Sequence, residues 1–177
     1  MKSRYYIVSM VAIITDRHNI IRTLKRFESK SLFFPRELPV FWNDSIKLET
    51  VPEGELFVFY VSPKECSSCQ INRMEENSGI LSLGDSLHYS TMFLISPSQT
   101  DYEALITYLH TYNPTIPVWI DKNGSFYRKN KHIPDNPSYH LFLLNKERVP
   151  IFVGNPMNAG MLQIMKRAMD KSVTVNQ

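Results

Sequence analysis

Residues 55–76 read ELFVFYVSPKECSSCQINRMEE. The run Leu56–Val61 is continuously apolar and rich in β-favouring side chains, which predicts a strand buried on both faces. Ser62, Pro63, Lys64 and Glu65 form a polar loop, and Cys66-Ser67-Ser68-Cys69 opens a helix-compatible segment that runs to Glu76. Two cysteines scattered at random over this chain would stand three apart only roughly 1% of the time. Their context says more than their spacing. At the N-terminus of a helix, unpaired amides stabilise a thiolate and lower its pKa from the free value of about 8.5. Cys66, partly exposed, is the expected attacking sulfur. Cys69, one turn further in and expected to be less exposed, would resolve the mixed disulfide by attacking Cys66 and releasing the partner as a thiol. That chemistry needs no metal or organic cofactor.

Working outward, the chain alternates strands and helices. Tyr89–Ile95 and Ile116–Ile120 are further buried runs. Between them Thr100–Tyr112 places Tyr102, Leu105, Ile106 and Leu109 on one helical face behind a Ser/Thr cap. A turn at Asp121–Gly124 precedes a short helix around Phe126 and Tyr127. Tyr139–Leu144 and Val149–Val153 form a hairpin, and Asn158–Lys171, with Met161, Ile164, Met165 and Ala168 on one face, is a closing amphipathic helix. The order βαβαβ followed by ββα predicts an α/β fold, a central mixed sheet flanked by helices.

Upstream of Glu55 the pattern differs. His18–Lys30 has Ile20, Ile21, Leu24 and Phe27 at helical spacing. Leu32–Trp42 (LFFPRELPVFW) is interrupted by Pro35 and Pro39 and reads as an extended arm packed on the domain rather than a regular strand. Ser45–Val51 reads as a short edge strand. Lys2 and Arg4 before the apolar stretch Tyr5–Thr15 have the order of a translocation signal, although no small-x-small cleavage site follows. The expected organisation is a signal or anchor segment at 1–15, an N-terminal helix and extended arm at 16–54, and one α/β domain at 55–177.

Composition narrows the function classes. The chain has 177 residues, 43% hydrophobic and 21% charged, with a net charge of +3 and no Lys/Arg stripe, so nucleic acid is not an expected partner. A core of this size does not depend on disulfide staples, so the two cysteines are available for chemistry.

FVFYVSPKECSSC, YSTMFLI, IPVWID and HLFLLNKERVPIFVGNP, with a last helix, together resemble the thioredoxin-like superfamily, especially its envelope-associated branch of the TlpA and ResA type. The resemblance covers Glu55–Lys171. It implies a thioredoxin-like domain with an N-terminal arm, acting as a thiol-disulfide oxidoreductase on protein or small-molecule thiols and disulfides through a further redox partner. It also implies a periplasmic or membrane-anchored location in the cell envelope, with anchoring through the N-terminus.

The chain departs from that superfamily at three places. Aligning Phe142–Asn145 with the superfamily's strand puts Tyr139 at the site of its cis-proline. Either a bulge lets Asn136-Pro137 supply the substrate platform, or Ser138 and Tyr139 form it without proline. Ser67-Ser68 matches neither the Gly-Pro nor the Pro-His dipeptide of its members. Phe59 and Tyr60 stand where a proton-handling acid is expected, leaving Glu65 to oppose the Cys66 thiolate and Lys64 to favour it.

Other readings of the same residues are weaker. A structural disulfide across so short a loop would stabilise little. Zinc would need about four ligands, and His88, His110, His132 and His140 show no paired spacing. His140 stands near the motif as a candidate neighbour of the thiols. The competing class is a non-catalytic interaction module docking through Phe33, Phe34, Phe41 and Trp42.

Overall fold

In the computed structural model the described residues are 21–76, 89–158 and 160–174. The strands are β1 (Glu37–Trp42), β2 (Ser45–Thr50), β3 (Leu56–Val61), β4 (Ser90–Ile95), β5 (Val118–Ile120), β6 (Leu141–Leu144) and β7 (Pro150–Val153). After the helical residues 21–28, the labelled helices are α1 (Ser67–Glu76), α2 (Tyr102–Tyr112), α3 (Ser125–Lys129) and α4 (Met161–Thr174). All seven strands form one sheet in the order β2-β1-β5-β4-β3-β6-β7. The contacts β3·β4 and β4·β5 are parallel, and the others are antiparallel. The expected mixed sheet flanked by helices is the architecture of the chain.

β3 lies inside the sheet with both faces covered, which is why its sequence is a continuous apolar run. Its alternate residues divide the core. Phe57, Phe59 and Val61 meet Ile71 of α1, Leu105 and Leu109 of α2 and Met165 of α4 on one face. Leu56, Val58 and Tyr60 meet Phe27, Leu32 and Phe126 on the other. A strand in this setting loses apolar contact whichever residue is truncated, with Phe-to-Ala changes costing about 3–5 kcal/mol.

The N-terminal region is more regular than its prolines suggest. Residues 21–28 are helical and bury Phe27, whose ring meets Phe142 edge-on at 5.4 Å. The second half of the expected arm is strand β1, paired with β2 along its length and with β5 at Val40 and Phe41. Pro39 is tolerated because the β5 ladder stops at Val40, so no amide is required of it on that side. The first half is an arm held by Asn130. This buried amide accepts from the Phe33 N–H at 2.9 Å and donates to the Phe33 carbonyl at 2.8 Å. The arm and hairpin therefore pack into the core and sheet of the residues that follow.

Two smaller expectations change. The residue before α2 is Asp101, which makes no side-chain capping bond, in place of a Ser/Thr cap. On α4, Met165 is buried but Ile164 is 52% exposed, so the apolar stripe is narrower than the sequence pattern suggests. The segment 1–15 lies outside the described residues, and no helix among those described is long and apolar enough to cross a membrane.

Candidate functional site

The parallel pair β3·β4 ends in register at Val61 and Ile95, and the chain leaving β3 turns at once into the Cys66 loop. Ser62 starts this loop with its carbonyl accepting the Glu65 N–H at 3.0 Å. α1 then begins at Ser67, and the Gln70 N–H donates to the Cys66 carbonyl at 3.1 Å to close the first turn. Cys66 and Cys69 are bonded to each other, with Cα atoms 5.3 Å apart.

The Cys66 sulfur sits where the helix N-terminus can act on it. The Cys69 N–H donates to Cys66 Sγ at 3.3 Å, and Ser68 Oγ lies 3.5 Å from the same atom. An amide aimed at this sulfur favours the thiolate over the thiol once the bond is reduced. Ser68, between the cysteines, thus adds a hydroxyl beside the sulfur. Cys66 is exposed, as the motif's position predicts, and Cys69 is exposed as well. The expected shelter of Cys69 fails because Ile71 and Met74, not Cys69, form the inward face of α1.

The two charges expected to compete at Cys66 are both paired. Lys64 Nζ reaches Asp135 at 2.9 Å on the surface. Glu65 turns inward: its Oε1 accepts the Ser62 N–H at 2.9 Å and lies 2.7 Å from His140 Nδ1. Its Oε2 accepts from Gln70 Nε2 at 3.4 Å. The imidazole is completed by Nε2, which donates to the Pro134 carbonyl at 2.7 Å. Burial alone would push the Glu65 carboxyl up, but the hydrogen bonds from His140 and Ser62 and the charge of His140 overcome it and hold the group below its ordinary range.

Sequence reading placed His140 near the motif and Glu65 beside Cys66, yet did not join them, because 75 residues separate the two. The joining feature is register. β6 runs antiparallel to β3 with Phe59 opposite Leu141, and the Tyr60 N–H donates to the His140 carbonyl at 2.8 Å. His140 therefore stands at the end of β3 from which the Cys66 loop departs. The Tyr60 ring packs 5.2 Å from the imidazole, and burial, foremost, pushes its phenol above the ordinary value.

The same register brings Ser138 and Tyr139 to the cysteine end of the sheet. Pro137–Tyr139 form a single 3₁₀ turn capped by Asn136, whose side chain accepts the Ser138 N–H at 3.0 Å. The Tyr139 and His140 amides bond within the same turn. No described peptide bond is cis, so Asn136-Pro137 supplies no cis-proline platform. Ser138 is exposed and Tyr139 half-buried. A cleft of about 540 Å³ lies beside this turn, lined among others by Glu65, Gln70, Arg73, Ser138, His140 and Asn155.

No family model matches the chain, and no curated protein matches it. Several solved structures are similar. StoA from Bacillus subtilis is 17% identical, with 76% of this chain and 99% of that chain covered and a TM-score of 0.44. A thioredoxin-like protein from Porphyromonas gingivalis is 9% identical, covering 80% and 93% with a TM-score of 0.44. A secreted disulfide oxidoreductase of Mycobacterium tuberculosis, homologous to E. coli DsbE, is 14% identical, covering 74% and 94% with a TM-score of 0.39. The chain's own strand order carries the decision: β3 precedes the cysteines, parallel β4 flanks it on one side, and the antiparallel β6–β7 hairpin flanks it on the other.

The fold is thioredoxin-like.

Within this thioredoxin-like fold the remaining candidates have other duties. Phe41 is fully buried against His110, Phe34 packs on Phe126, and the Phe33 ring lies under Lys129 Nζ at 3.9 Å. Of the four aromatic residues read as a docking patch, only Phe33 and Trp42 are exposed, each at 38%. His110 pairs with Asp44, and His132 packs against Phe27 at 6.1 Å. His88 lies outside the described residues. No cluster of metal-ligating side chains occurs among the described residues. Asp121, expected to be a turn residue, is fully buried and accepts from Ser96 Oγ, Ser125 Oγ and the Tyr127 N–H, tying the ends of β4 and β5 to α3.

Proposed function

We propose that the chain is a thiol-disulfide oxidoreductase of the cell envelope that works by exchange through Cys66 and Cys69. The observation that carries this reading is the exposed cysteine pair at the start of α1, with the Cys69 amide aimed at Cys66 Sγ. An exposed disulfide at a helix N-terminus is open to attack, and the amide aimed at Cys66 Sγ stabilises Cys66 as the thiolate when the couple is reduced. A bond kept only for stability would gain little from so short a loop.

The partners are protein or small-molecule thiols and disulfides, with a second redox partner to reset the couple. Ser138 and Tyr139 receive the partner's chain beside Cys66. Their amides are spent inside the turn, so contact falls to carbonyl oxygens and side chains. The envelope location rests on the charged-then-apolar order of residues 2–15.

Cys69→Ser leaves a Cys66 thiolate that can attack a partner but cannot be resolved intramolecularly. Expressed in the full chain, this variant accumulates mixed disulfides that run as dithiothreitol-sensitive bands in non-reducing gels, and adding Cys66→Ser removes them. Equal labelling of both variants, or none, would contradict the exchange reading.

A further inference from the structure

The seven-stranded sheet has unlike edges. β7 begins with Pro150, which has no N–H to offer, and its pairing with β6 is interrupted by a bulge at Leu143 and Leu144. β2 closes the other edge among the described residues; it contains no proline and pairs with β1 in unbroken register over its whole length. Such an edge is a template for a further strand.

The hairpin fixes which backbone groups that strand would meet. β1 and β2 are joined by Asn43 and Asp44, both at positive φ (49° and 54°), so the flanking Trp42 and Ser45 form a hydrogen-bonded pair. The Val51 N–H donates to the Arg36 carbonyl at 3.0 Å, which keeps the same alternation. Ser45, Lys47, Glu49 and Val51 therefore turn their backbone polar groups toward β1, and Ile46, Leu48 and Thr50 turn theirs outward. Ile46 and Leu48 are also 39% and 64% exposed, so apolar side chains stand on the same open edge.

We propose that β2 is a self-pairing edge through which a second copy of the chain joins antiparallel to extend the sheet, with Leu48 on the twofold axis. In that register Leu48 bonds to Leu48 of the second copy and Ile46 to Thr50 of the second copy, all residues whose backbone groups point outward. The intervening positions are not hydrogen-bonded, and there cross-strand side chains approach most closely. They set Lys47 against Glu49 of the second copy, and Glu49 against Lys47 of the second copy. Among the described residues neither Lys47 nor Glu49 has an ion-pair partner in its own chain. The adjacent registers that keep the backbone groups matched are worse, because one sets Lys47 on Lys47 and the other Glu49 on Glu49. Charge thus selects one of the registers that backbone alternation allows. The contact uses the same strand on both copies and β7 is blunted, so assembly stops at a dimer. β1, β5 and β4 stand between β2 and β3, which leaves both cysteine loops clear of the joint. The inference does not depend on the exchange reading.

The test begins with sedimentation equilibrium of the full chain from about 1 μM to 1 mM, with dithiothreitol present so that no intermolecular disulfide contributes. A reversible monomer–dimer equilibrium is expected. Lys47→Glu and Glu49→Lys each set like charges together and should raise the dimer Kd by about tenfold, while both changes in one chain should restore the parent's Kd. Damage to the fold would not be repaired by the second change. The register is read separately by crosslinking in a Cys66→Ser, Cys69→Ser background. Under mild oxidation Leu48→Cys should give a covalent dimer, because directly paired residues of this kind have Cα atoms about 5.5 Å apart. Ile46→Cys and Thr50→Cys, tested singly, should not, because each lies opposite the other. A monomer throughout the range would overturn the proposal. Association indifferent to both charge reversals, the result expected of docking through the apolar stretch Tyr5–Thr15, would do the same. So would crosslinking of Ile46→Cys or Thr50→Cys as fast as that of Leu48→Cys.

Discussion

Among the described residues, two histidine–carboxylate pairs of nearly equal length stand in opposite surroundings. His140 and Glu65 meet at 2.7 Å with side chains 4% and 9% exposed. His110 and Asp44 meet at 2.6 Å with side chains 46% and 67% exposed. Distance does not distinguish them, but solvent does. Water and salt screen the exposed pair, so its contribution is small. The buried pair has given up its hydration and depends on every remaining hydrogen bond, including those from Ser62 and Gln70 and to Pro134. One pair decorates the junction of α2 with the hairpin turn, and the other ties the cysteine loop to the turn before β6.

Breaking each pair should expose this difference. Glu65→Ala or His140→Ala strands a buried partner and should cost about 3–5 kcal/mol in urea unfolding. A loss below about 1 kcal/mol would place the inner pair with the surface one. Acid separates them next. The Glu65 carboxyl is held below its ordinary value of 4.5, so it contributes stability that is fully present above that pH and is lost as the pH falls through its folded-state value. Thermal midpoints measured downward from about pH 5 should therefore fall less in Glu65→Gln than in the parent, reported as the difference between the two curves. The smallest effect belongs to the surface: His110→Gln or Asp44→Asn should change stability by about 0–1 kcal/mol, and molar salt should shrink even that.

How far the sequence foretells this arrangement depends on whether a signal is local. β3 was legible because a strand covered on both faces must be apolar throughout. The cysteines were legible because strand, loop and helix start follow one another within a dozen residues. Strand β1 was hidden by Pro35 and Pro39, and only the short β5 ladder explains why Pro39 fits. Glu65 and His140 carry no shared local signal. Glu65 read as a free charge because its partner arrives from the far side of the sheet through antiparallel register. Likewise, the exposure of Cys69 follows from which face of α1 meets the core, and Ile71 and Met74 take that face.

The central claim is that Cys66 and Cys69 are an exchanging couple, and the most direct measurement is their reduction potential in glutathione or dithiothreitol buffers, with insulin reduction followed in parallel. The account predicts a potential between about −120 and −270 mV, together with turnover that Cys66→Ser abolishes. A potential below about −300 mV with no turnover would mark a structural disulfide and contradict it.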